Sequence, residues 1–235
     1  MPEPQLSIVV PVFNEVDNIR PLVAEVDAAI GPLATSWELL LVDDGSGDGS
    51  DVLLDELARA DAHLRVLHFE RNCGQSAALD AGFRHAAGRV VVMLDADLQT
   101  DPEDIPALLR GLEGADAVVG IRAQRRDTAW KRFSSRVANG VRNRLTREDI
   151  ADTGCPLKAF RAEAIKQVRM FKGAHRFLPT LLRLEGFAVV QVPVRHRPRR
   201  AGTSKYGTLD RAFRALRDAL GVRWLQDRHL DWRLR

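Results

Sequence analysis

The sequence predicts an α/β protein, a single domain with a mostly parallel sheet and helices on both faces. Short apolar runs alternate with helical patterns along the first half, and polar clusters follow the runs directly. The size agrees with this class: 235 residues, 45% hydrophobic and 29% charged, are enough for one sizeable α/β domain.

The strands of the first half are apolar on successive residues, as expected where a parallel sheet is buried on both faces. The helices between them carry apolar residues three and four apart, such as Ile19, Leu22 and Val26. The predicted strands are 6–12, 37–42, 65–69, 90–94 and 115–121, and the predicted helices cover 19–30, 51–60, 78–86 and 105–112.

The start of the fourth helix has a clear cap. Asp101 suits the N-cap, Pro102 suits the first helical position, and Glu103 and Asp104 complement the positive end of a helix.

The second half is less regular. A basic, helix-prone stretch (122–147) leads to DTGCPLKAFR (152–161), a helix near 177–184, a strand near 188–194 and a Gly- and Arg-rich segment (195–207). From Thr208 an amphipathic helix is predicted, so we expect a main domain over 1–207 and a helical tail over 208–235. One side of this helix holds Leu209, Phe213, Leu216 and Leu220, and the other holds Arg211, Arg214 and Arg217.

The net charge of +3 conceals a strong asymmetry between the halves. Residues 1–119 carry a net charge of −15, and residues 120–235 carry +18. The first half therefore suits cations or polar ligands, and the second suits phosphate, nucleic acid or an anionic membrane surface.

Other sequence signals exclude several classes. Cys73 and Cys155 form no disulfide framework, which fits a reducing compartment. The N-terminal apolar run is short, lacks a basic start and is broken by Pro11, so a signal peptide is not expected. Since no window reaches eighteen continuous apolar residues, no membrane span is expected.

A candidate metal site follows the apolar run at 90–94. Asp95, Asp97 and Gln99 alternate, so their side chains can point to one side of a strand that bends there. The helix cap needs neither Asp95 nor Asp97, and their two carboxylates would repel each other without a cation between them. The pattern favours a hard-cation site over an acidic turn.

DDGSGDGSD, beginning at Asp43, also fits the opening of a helix-loop-helix calcium loop. The flanks argue against that assignment, because a strand precedes it and Asp55 occupies the position where a bidentate Glu is usual. As a turn from strand to helix it can contact a ligand through Asp43 and Asp44, whereas Asp48 and Ser50 fit a structural turn.

The first turn, PVFNEVDN, contains no glycine, which argues against a dinucleotide-binding oxidoreductase, and no P-loop is present. We therefore expect a nucleotide held without a glycine cradle, with a metal at Asp97 and Gln99 meeting its diphosphate.

Taken in order, PVFNE, VDDGS, RNCGQSAALDAG and LDADLQ resemble the inverting nucleotide-sugar glycosyltransferases of family 2 with the GT-A (Rossmann-like) fold. They are most similar to the dolichyl-phosphate mannose synthase and polyprenyl-phosphate glycosyltransferase branch. GIR (120–122), SSRVAN (134–139), DTGCPLKAFR (152–161) and AGTSKYG (201–207) extend the resemblance over almost the whole chain.

The resemblance implies a role for each matching residue. Residues 1–120 would form the nucleotide-sugar and metal half, and 121–207 the acceptor half. Mg²⁺ or Mn²⁺ would be bound by Asp95, Asp97 and Gln99. The donor would be held by Pro11, Val12, Phe13, Glu15, Asp43, Asp44 and Gln75. The acceptor phosphate would be gripped by Arg122 and Arg136 with Ser135 nearby, Asp152 would approach the sugar, and Arg197, Ser204 and Lys205 would close over the diphosphate.

The implied reaction is metal-dependent transfer of a monosaccharide from GDP-mannose or a UDP-hexose to polyprenyl or dolichyl phosphate. A phosphate monoester is already anionic at pH 7, so a strong general base is not required. Two alternatives stay open. One is a glycosyltransferase with a soluble saccharide or polymer acceptor, for which Asp152 is the candidate base; the other is a basic module binding nucleic acid, disfavoured by Asp95, Asp97 and Gln99.

Many members of the branch continue into transmembrane helices after the SKYG segment, and this sequence ends at Arg235. The expectation is a peripheral enzyme at the cytoplasmic face of the membrane, docked through the tail helix with Trp224 or held by a separate small membrane anchor protein, with no nucleic-acid partner. An ordinary helix packed on the domain is the alternative for the tail.

Overall fold

A computed structural model describes residues 4–33, 35–122, 139–197 and 208–230, with side chains from 215 onward in the last range. The sheet has seven strands in the order β3-β2-β1-β4-β6-β5-β7. Their bounds are Leu6–Val12 (β1), Trp37–Asp43 (β2), Leu64–His68 (β3), Val90–Met93 (β4), Ala117–Arg122 (β5), Lys158–Arg161 (β6) and Val189–Val194 (β7). Only β6 is antiparallel to its neighbours among these strands.

Eight helical segments accompany the sheet in the described residues. They are Val16–Ile30 (α1), Ser50–Ala60 (α2), Gln75–His85 (α3), Ile105–Gly111 (α4), 139–146 (α5), Ala162–Gln167 (α6), Leu178–Leu184 (α7) and Thr208–Arg228 (α8). Short 3-10 turns cover Gly31–Leu33, Pro102–Asp104 and Ala174–Arg176. The predicted first-half elements are therefore confirmed to within a few residues at their ends.

The sheet is covered on both faces, as the continuous apolar runs predict. Successive residues of β1 alternate between the two layers: Ile8 and Val10 belong to one core with residues of α1, and Val9 to the other with residues of α3. All three side chains are fully buried. The carboxyl ends of the parallel strands consequently lie along one edge, where polar loops can meet.

The cap before α4 is also as predicted. The Asp101 side chain accepts a hydrogen bond from the Glu103 N–H at 3.1 Å, and Pro102 is the first residue of the helical turn. That turn is 3-10, and α4 continues from Ile105.

Two second-half elements were not predicted. The antiparallel strand β6 occupies the end of DTGCPLKAFR, and α6 follows it directly. β6 begins with Lys158 and ends with Arg161, so it has no continuous apolar run, unlike the equally short β4. It also inserts between β4 and β5, which come earlier in the chain.

Helix α8 packs through small side chains. Ala219 and Val222 are 2% and 1% exposed, whereas Leu216, Leu220 and Trp224 are 44%, 52% and 63% exposed. The part of the predicted apolar stripe that the structure describes thus faces outward, and a neighbouring face packs on the domain. None of the helices in the described ranges has the length and hydropathy needed to cross a membrane.

Candidate active site

The polar clusters that follow β1, β2, β3 and β4 meet at the carboxyl edge of the sheet and are joined by hydrogen bonds. After β1, the Asn14 N–H donates to Ser46 Oγ at 3.0 Å, and its side-chain oxygen accepts from the Gly47 N–H at 2.8 Å. Asn14 has φ +53°, a left-handed conformation that Asn tolerates better than most residues. The loops after β1 and β2 therefore hold each other.

The loop after β2, the second loop, is partly structural. Asp48 Oδ2 accepts the N–H of Val16 at 3.1 Å, at the first residue of α1, and Asp48 Oδ1 accepts from the Ser50 N–H at 3.0 Å. The Ser50 hydroxyl in turn accepts the N–H of Glu15. The prediction of a structural turn for Asp48 and Ser50 is consistent with these contacts.

Asp44 joins the second loop to the third loop, which lies between β3 and α3. Its carboxylate, 3% exposed, accepts the N–H groups of Cys73 at 2.6 Å and Gly74 at 2.9 Å and an N–H of the Asn72 side chain at 2.9 Å. Burial raises the pKa of Asp44 against the lowering effect of these N–H groups. The predicted contact of Asp44 with a ligand would come from a carboxylate already fixed by the protein.

Asp43 is also buried, and its contacts are different from those of Asp44. Its Oδ2 lies 3.0 Å from His68 Nδ1, and Oδ1 accepts the Ser46 N–H at 3.0 Å. His68 Nε2 lies 3.1 Å from Asp55 Oδ1. Burial acts to lower the pKa of His68, but the hydrogen bonds with the two carboxylates outweigh it, so the pKa is raised.

The third loop reaches the candidate metal residues through Gln75, at the start of α3. Gln75 Nε2 donates to Asp95 Oδ1 at 2.7 Å. Asp97 is 8% exposed, and its Oδ1 accepts the Gln99 N–H at 3.1 Å. Leu98 between them has φ +58°, so the chain does bend there, as alternating ligands after a strand require.

The chemistry of this donor set fits Mg²⁺ or Mn²⁺: two carboxylates and a carboxamide, all oxygen donors, lie at Asp95, Asp97 and Gln99. No group of three or more His, Cys, Asp or Glu side chains with metal-binding geometry occurs in the described ranges.

A cavity of about 310 Å³ lies beside Asp95. Its lining combines the third loop, the end of β4, α5 and the DTGC segment: Gln75, Met93, Asp95, Arg122, Asn139, Arg142, Asp152, Thr153, Gly154, Cys155, Pro156, Lys158, His175 and Arg176. The structure thus brings four predicted site residues to one cavity: Gln75, Asp95, Arg122 and Asp152.

The GIR and DTGC motifs meet at a buried ion pair. Arg122 donates from Nε to Asp152 Oδ2 at 2.6 Å and from Nη2 to Oδ1 at 2.8 Å, and the two side chains are 14% and 7% exposed. A Cβ on Gly154 would lie 3.2 Å from Arg122 Nη2, and one on Gly120 would lie 2.9 Å from Cys155 Sγ. Both glycines therefore permit the close approach of the two motifs.

Lys158 lies beneath the cavity and was not predicted as a site residue. It is 2% exposed, and its Nζ donates to the Cys155 carbonyl oxygen. Burial lowers the pKa of Lys158, while the charges of Asp95 and Asp152 act to raise it. No sequence pattern marked it, because β6 was not predicted; in the structure it is a lysine inside a buried strand, a rare position for this residue.

Cys155 is a packed residue rather than a reactive thiol. It is 1% exposed, and burial raises the pKa of its thiol, which disfavours the thiolate form.

Arg142, on α5, enters the same cavity. Nη2 donates to Asn139 Oδ1 at 3.1 Å, and Asn139 Nδ2 donates to the Ala151 carbonyl oxygen at 3.0 Å. Burial lowers the pKa of Arg142 to about 10, against the raising effect of Asp152 and Glu148. Many arginines surround it in the sequence, so no pattern distinguished it.

His175 closes one side of the cavity. Its Nδ1 lies 2.7 Å from Ser76 Oγ, which accepts the Gly173 N–H at 3.0 Å. Burial, followed by the charges of Arg176 and Lys158, lowers the pKa of His175 to about 3. The imidazole is therefore neutral at pH 7, and the Ser76 hydroxyl can donate to Nδ1.

Arg197 contacts two acidic side chains. Its Nη1 lies 2.7 Å from Glu25 Oε2 and its Nη2 2.7 Å from Asp101 Oδ1, while its N–H donates to the Gln99 carbonyl oxygen at 2.8 Å. It is therefore adjacent to the candidate metal residues, with its guanidinium in ion pairs. Its expected contact with the diphosphate stays a prediction.

The remaining predicted residues divide into two groups. In the first loop, Val12 is buried, and Pro11, Phe13 and Glu15 are partly exposed. Four predicted residues lie outside the described ranges: Ser135, Arg136, Ser204 and Lys205.

Comparison with known proteins identifies the family. The model of glycosyl transferase family 2 matches residues 7–169. The chain belongs to glycosyl transferase family 2. The match includes every described residue predicted at the metal and nucleotide sites except Arg197, and ends after β6 and α6.

Among curated members of this family, the chain is 40% identical over 224 residues to a dodecaprenyl-phosphate galacturonate synthase of Rhizobium johnstonii, covering 93% of this chain and 66% of that protein. It is 38% identical to an undecaprenyl-phosphate 4-deoxy-4-formamido-L-arabinose transferase of Edwardsiella ictaluri, covering 87% of this chain and 63% of that protein. The resemblance to the polyprenyl-phosphate branch is confirmed. The chain spans just under two thirds of the length of these relatives.

Solved structures confirm the GT-A fold. A glucosyl-3-phosphoglycerate synthase of Mycobacterium tuberculosis, with Mn²⁺, uridine diphosphate and phosphoglyceric acid, superimposes with a TM-score of 0.72 at 22% identity, covering 97% of this chain and 80% of that one. A mannosyltransferase of Pyrobaculum calidifontis, with GDP-mannose and Mn²⁺, gives 0.64 at 19% identity, covering 95% and 70%.

Proposed function

We propose that this chain transfers a monosaccharide from a nucleotide diphosphate sugar to the phosphate of a polyprenyl phosphate, with inversion at the anomeric carbon. The relatives named above transfer different sugars, galacturonate and a formamido-arabinose, but both are named for a polyprenyl-phosphate acceptor. The acceptor class is therefore what carries over to this chain, and GDP-mannose and the UDP-hexoses remain candidate donors.

The observation that carries the proposal is the Arg122–Asp152 pair. Asp152 is 5% exposed, and both of its oxygens accept hydrogen bonds from one guanidinium. To act as a general base toward a sugar hydroxyl it would have to take up a proton in place of one of these hydrogen bonds. A phosphate monoester needs no such base, since it is already anionic at pH 7.

The contacts of Asp152 also disfavour the alternative of a soluble saccharide or polymer acceptor. That alternative depends on Asp152 as the base, the role for which its contacts make it least suited. A nucleic-acid-binding module would make no use of Asp95, Asp97 and Gln99 at the mouth of the site.

On this proposal, Mg²⁺ or Mn²⁺ is held by Asp95, Asp97 and Gln99, and the bound ion supplies Lewis-acid stabilisation of the departing nucleotide diphosphate. Gln75 orients Asp95 through its hydrogen bond. The first-loop residues and the Asp43–Asp44 turn hold the nucleotide, and the cavity beside Asp95 holds the sugar. Catalysis then consists of alignment, exclusion of water and charge neutralisation.

The acceptor half grips the lipid phosphate. Arg136, with Ser135 and Arg122, is the proposed phosphate ligand, because a guanidinium fork matches phosphate geometry. Ser204, Lys205 and Arg197 close over the donor diphosphate. Arg122 thereby has two functions: it neutralises Asp152 and presents its remaining N–H groups toward the acceptor.

Contact with the membrane surface is proposed for α8. Its outward Leu216, Leu220 and Trp224 lie beside Arg217, which is also exposed, as in helices that rest in the headgroup region of a bilayer. We place the enzyme at the cytoplasmic face of the membrane and propose a separate anchor protein as a further contact.

The test is a donor screen with purified protein, Mn²⁺ or Mg²⁺, radiolabelled GDP and UDP sugars, and a short polyprenyl phosphate in detergent. The proposal requires transfer of one sugar to lipid, lost in both Asp97→Ala and Arg136→Ala and retained in Glu56→Ala, which removes an exposed acid from the Arg20 ion pair. Transfer to a soluble saccharide in place of the lipid would refute the acceptor assignment.

A further inference from the structure

His68, the last residue of β3, lies between two carboxylates. Its Nδ1 is 3.0 Å from Asp43 Oδ2, at the end of the neighbouring strand β2, and its Nε2 is 3.1 Å from Asp55 Oδ1 on α2. A neutral imidazole has one N–H, so one of its nitrogens would turn a lone pair toward a carboxylate oxygen. Only the imidazolium donates to both carboxylates, and the geometry therefore corresponds to a doubly protonated His68.

The charged groups around His68 favour the imidazolium form. Asp43 faces it from β2 and Asp55 from α2, and Arg59, one turn further along α2, lies 3.4 Å from the other oxygen of Asp55. Burial acts to lower the pKa of His68, but the hydrogen bonds and charges of the two carboxylates outweigh it and raise the pKa. The His68 side chain is 37% exposed, so the ring can exchange its proton with solvent directly.

Asp43 depends on His68 for its counter-charge. Asp43 is 2% exposed, and the next residue, Asp44, is a second buried carboxylate, so two negative charges follow one another at the carboxyl end of β2. Among the residues that the structure describes, His68 is the only basic side chain in an ion pair with Asp43. Because a buried carboxylate without a cation is costly, the protonated His68 stabilises the Asp43 carboxylate in its observed position.

Asp43 in turn positions the loops that the proposed function assigns to the nucleotide. Its Oδ1 accepts the Ser46 N–H at 3.0 Å, and Ser46 Oγ accepts the Asn14 N–H at 3.0 Å. Since the two oxygens of one carboxylate make these contacts with His68 and Ser46, a movement of Asp43 relative to His68 also moves the second loop. His68 is therefore the outer end of a chain of hydrogen bonds that runs through Asp43 and the second loop to the first loop.

We propose that His68 is a positioning residue of the nucleotide site: as an imidazolium it holds Asp43, and with it the first two loops, in the geometry that binds a nucleoside diphosphate. This rests on the proposed function, in that it takes Asp43 as a contact of the donor nucleotide. Loss of one proton from His68 removes one of its two N–H groups and the positive charge beside Asp43. Nucleotide affinity therefore falls as the pH rises through the pKa of His68, which lies above the ordinary value of 6.5.

The test is calorimetric binding of UDP and GDP to the whole chain with MgCl₂, from about pH 6 to about pH 9. With the nucleotide that binds, we expect the wild type to lose roughly 3- to 10-fold in affinity over this range, the difference between a charge-assisted and a neutral hydrogen bond. His68→Gln should bind more weakly at the low end and should lack this fall. The difference between the two profiles isolates His68 from other groups that titrate in the range.

Asp55→Asn leaves His68 in place and removes one of the two carboxylates that favour its imidazolium form. We therefore expect the fall in nucleotide affinity to move to lower pH in this variant. Glu56→Gln is the matched control, since Glu56 is the neighbouring acid on α2, pairs with Arg20 and should leave the wild-type profile unchanged. Thermal unfolding of each variant establishes that it is folded.

An NMR titration of the histidine side chains measures the pKa of His68 directly, with its signal identified by its absence in His68→Gln. The pKa should lie above 6.5 and should rise further when the nucleotide is bound, because the coupling between proton and nucleotide is reciprocal. The inference is wrong if the bound nucleotide leaves this pKa unchanged. It is also wrong if His68→Gln weakens binding by the same factor at every pH, which would show a structural role only.

The binding experiment separates this inference from the proposed function, because it uses UDP and GDP without an acceptor. A pH profile that depends on His68, without transfer to lipid from any donor, would support the inference and refute the acceptor assignment. Transfer to lipid, with parallel profiles for the wild type and His68→Gln, would do the reverse.

Discussion

Arg122 and Asp152 form a bidentate ion pair between the end of β5 and the DTGC segment, with N···O distances of 2.6 and 2.8 Å. The pair joins two motifs that are thirty residues apart in the chain. It fixes the orientation of both side chains at the cavity and determines which chemistry is available there, because a paired carboxylate is a weak candidate for a base.

Replacing Arg122 should be costly for stability as well as for activity. Arg122→Gln leaves the Asp152 carboxylate buried without its charge partner, so we expect the free energy of unfolding to fall by roughly 3–5 kcal/mol. Urea denaturation measures this. Arg122→Gln combined with Asp152→Asn should recover much of the loss. The control is Arg20→Gln at the Arg20–Glu56 pair, 57% and 63% exposed, with an expected change below about 1 kcal/mol. Equal losses in both single variants would contradict this account.

Asp44 is predicted to be needed for the geometry of the nucleotide site. Asp44→Asn replaces one acceptor oxygen with an NH₂ group that faces the N–H groups of Cys73 and Gly74. The free energy of unfolding should fall by about 1–3 kcal/mol, and nucleotide diphosphate should bind more weakly because the second and third loops separate. Denaturation and calorimetry measure the two effects. Asp51→Asn, in the first turn of α2, is the control. Weaker binding in Asp44→Asn at unchanged stability would indicate direct ligand contact alone.

His175 should make the protein sensitive to acid. Its pKa is lowered to about 3 in the folded state from an ordinary value near 6.5, so the unfolded chain binds more protons between these values. The stability that neutral His175 contributes is thus fully present above about pH 6.5 and is lost as the pH falls toward 3.

The check is urea denaturation from pH 7.5 to pH 4.5 for the wild type and His175→Asn. The difference between the two slopes isolates His175 from the carboxylates that titrate in the same range. The variant should lose less stability on acidification. His85→Asn, at an exposed position on α3, should behave as the wild type does. Parallel slopes for the wild type and His175→Asn would refute the assignment of a depressed pKa.

The outward face of α8 should bind anionic membranes. Trp224→Asp removes an aromatic anchor and adds a negative charge near an anionic surface, so retention on phosphatidylglycerol vesicles in a flotation assay should fall several-fold. Val52→Ser is the control, since Val52 is 68% exposed on α2 and apolar. Unchanged flotation of Trp224→Asp would show that this face does not contact the bilayer.

The first half of the fold was predictable because each element had its own local signal. The apolar runs of β1, β2 and β4 and the Asp101–Pro102 cap identify elements from neighbouring residues, and parallel strands bring their following loops to one edge. The hydrogen bonds Asn14–Ser46, Asp44–Cys73 and Gln75–Asp95 follow from that convergence.

The second half depends on contacts between distant segments, and sequence patterns do not encode those. β6 lacks the apolar run by which β4, of equal length, was recognised, and its insertion between β4 and β5 is decided by the sheet as a whole. The pairing of Arg122 with Asp152 brought two predicted residues together, but nothing local marked Arg142 or His175 as cavity residues. Their positions are set by how α5 and the 170–176 segment pack.

The contact between α3 and the sheet gives a last prediction. A Cβ on Gly82 would lie 2.3 Å from Val9 Cγ1 and 3.3 Å from Val42 Cγ2, and Val9 is fully buried in β1. Gly82→Ala gains helix propensity of about 1 kcal/mol, but crowding in a packed core costs about 1–3 kcal/mol. We therefore expect a net fall in the free energy of unfolding. A Cβ added by Gly221→Ala on α8 would lie in open space, so this variant should show only the gain in helix propensity. Urea denaturation compares the two; a stabilising Gly82→Ala would mean that α3 can move away from β1 at little cost.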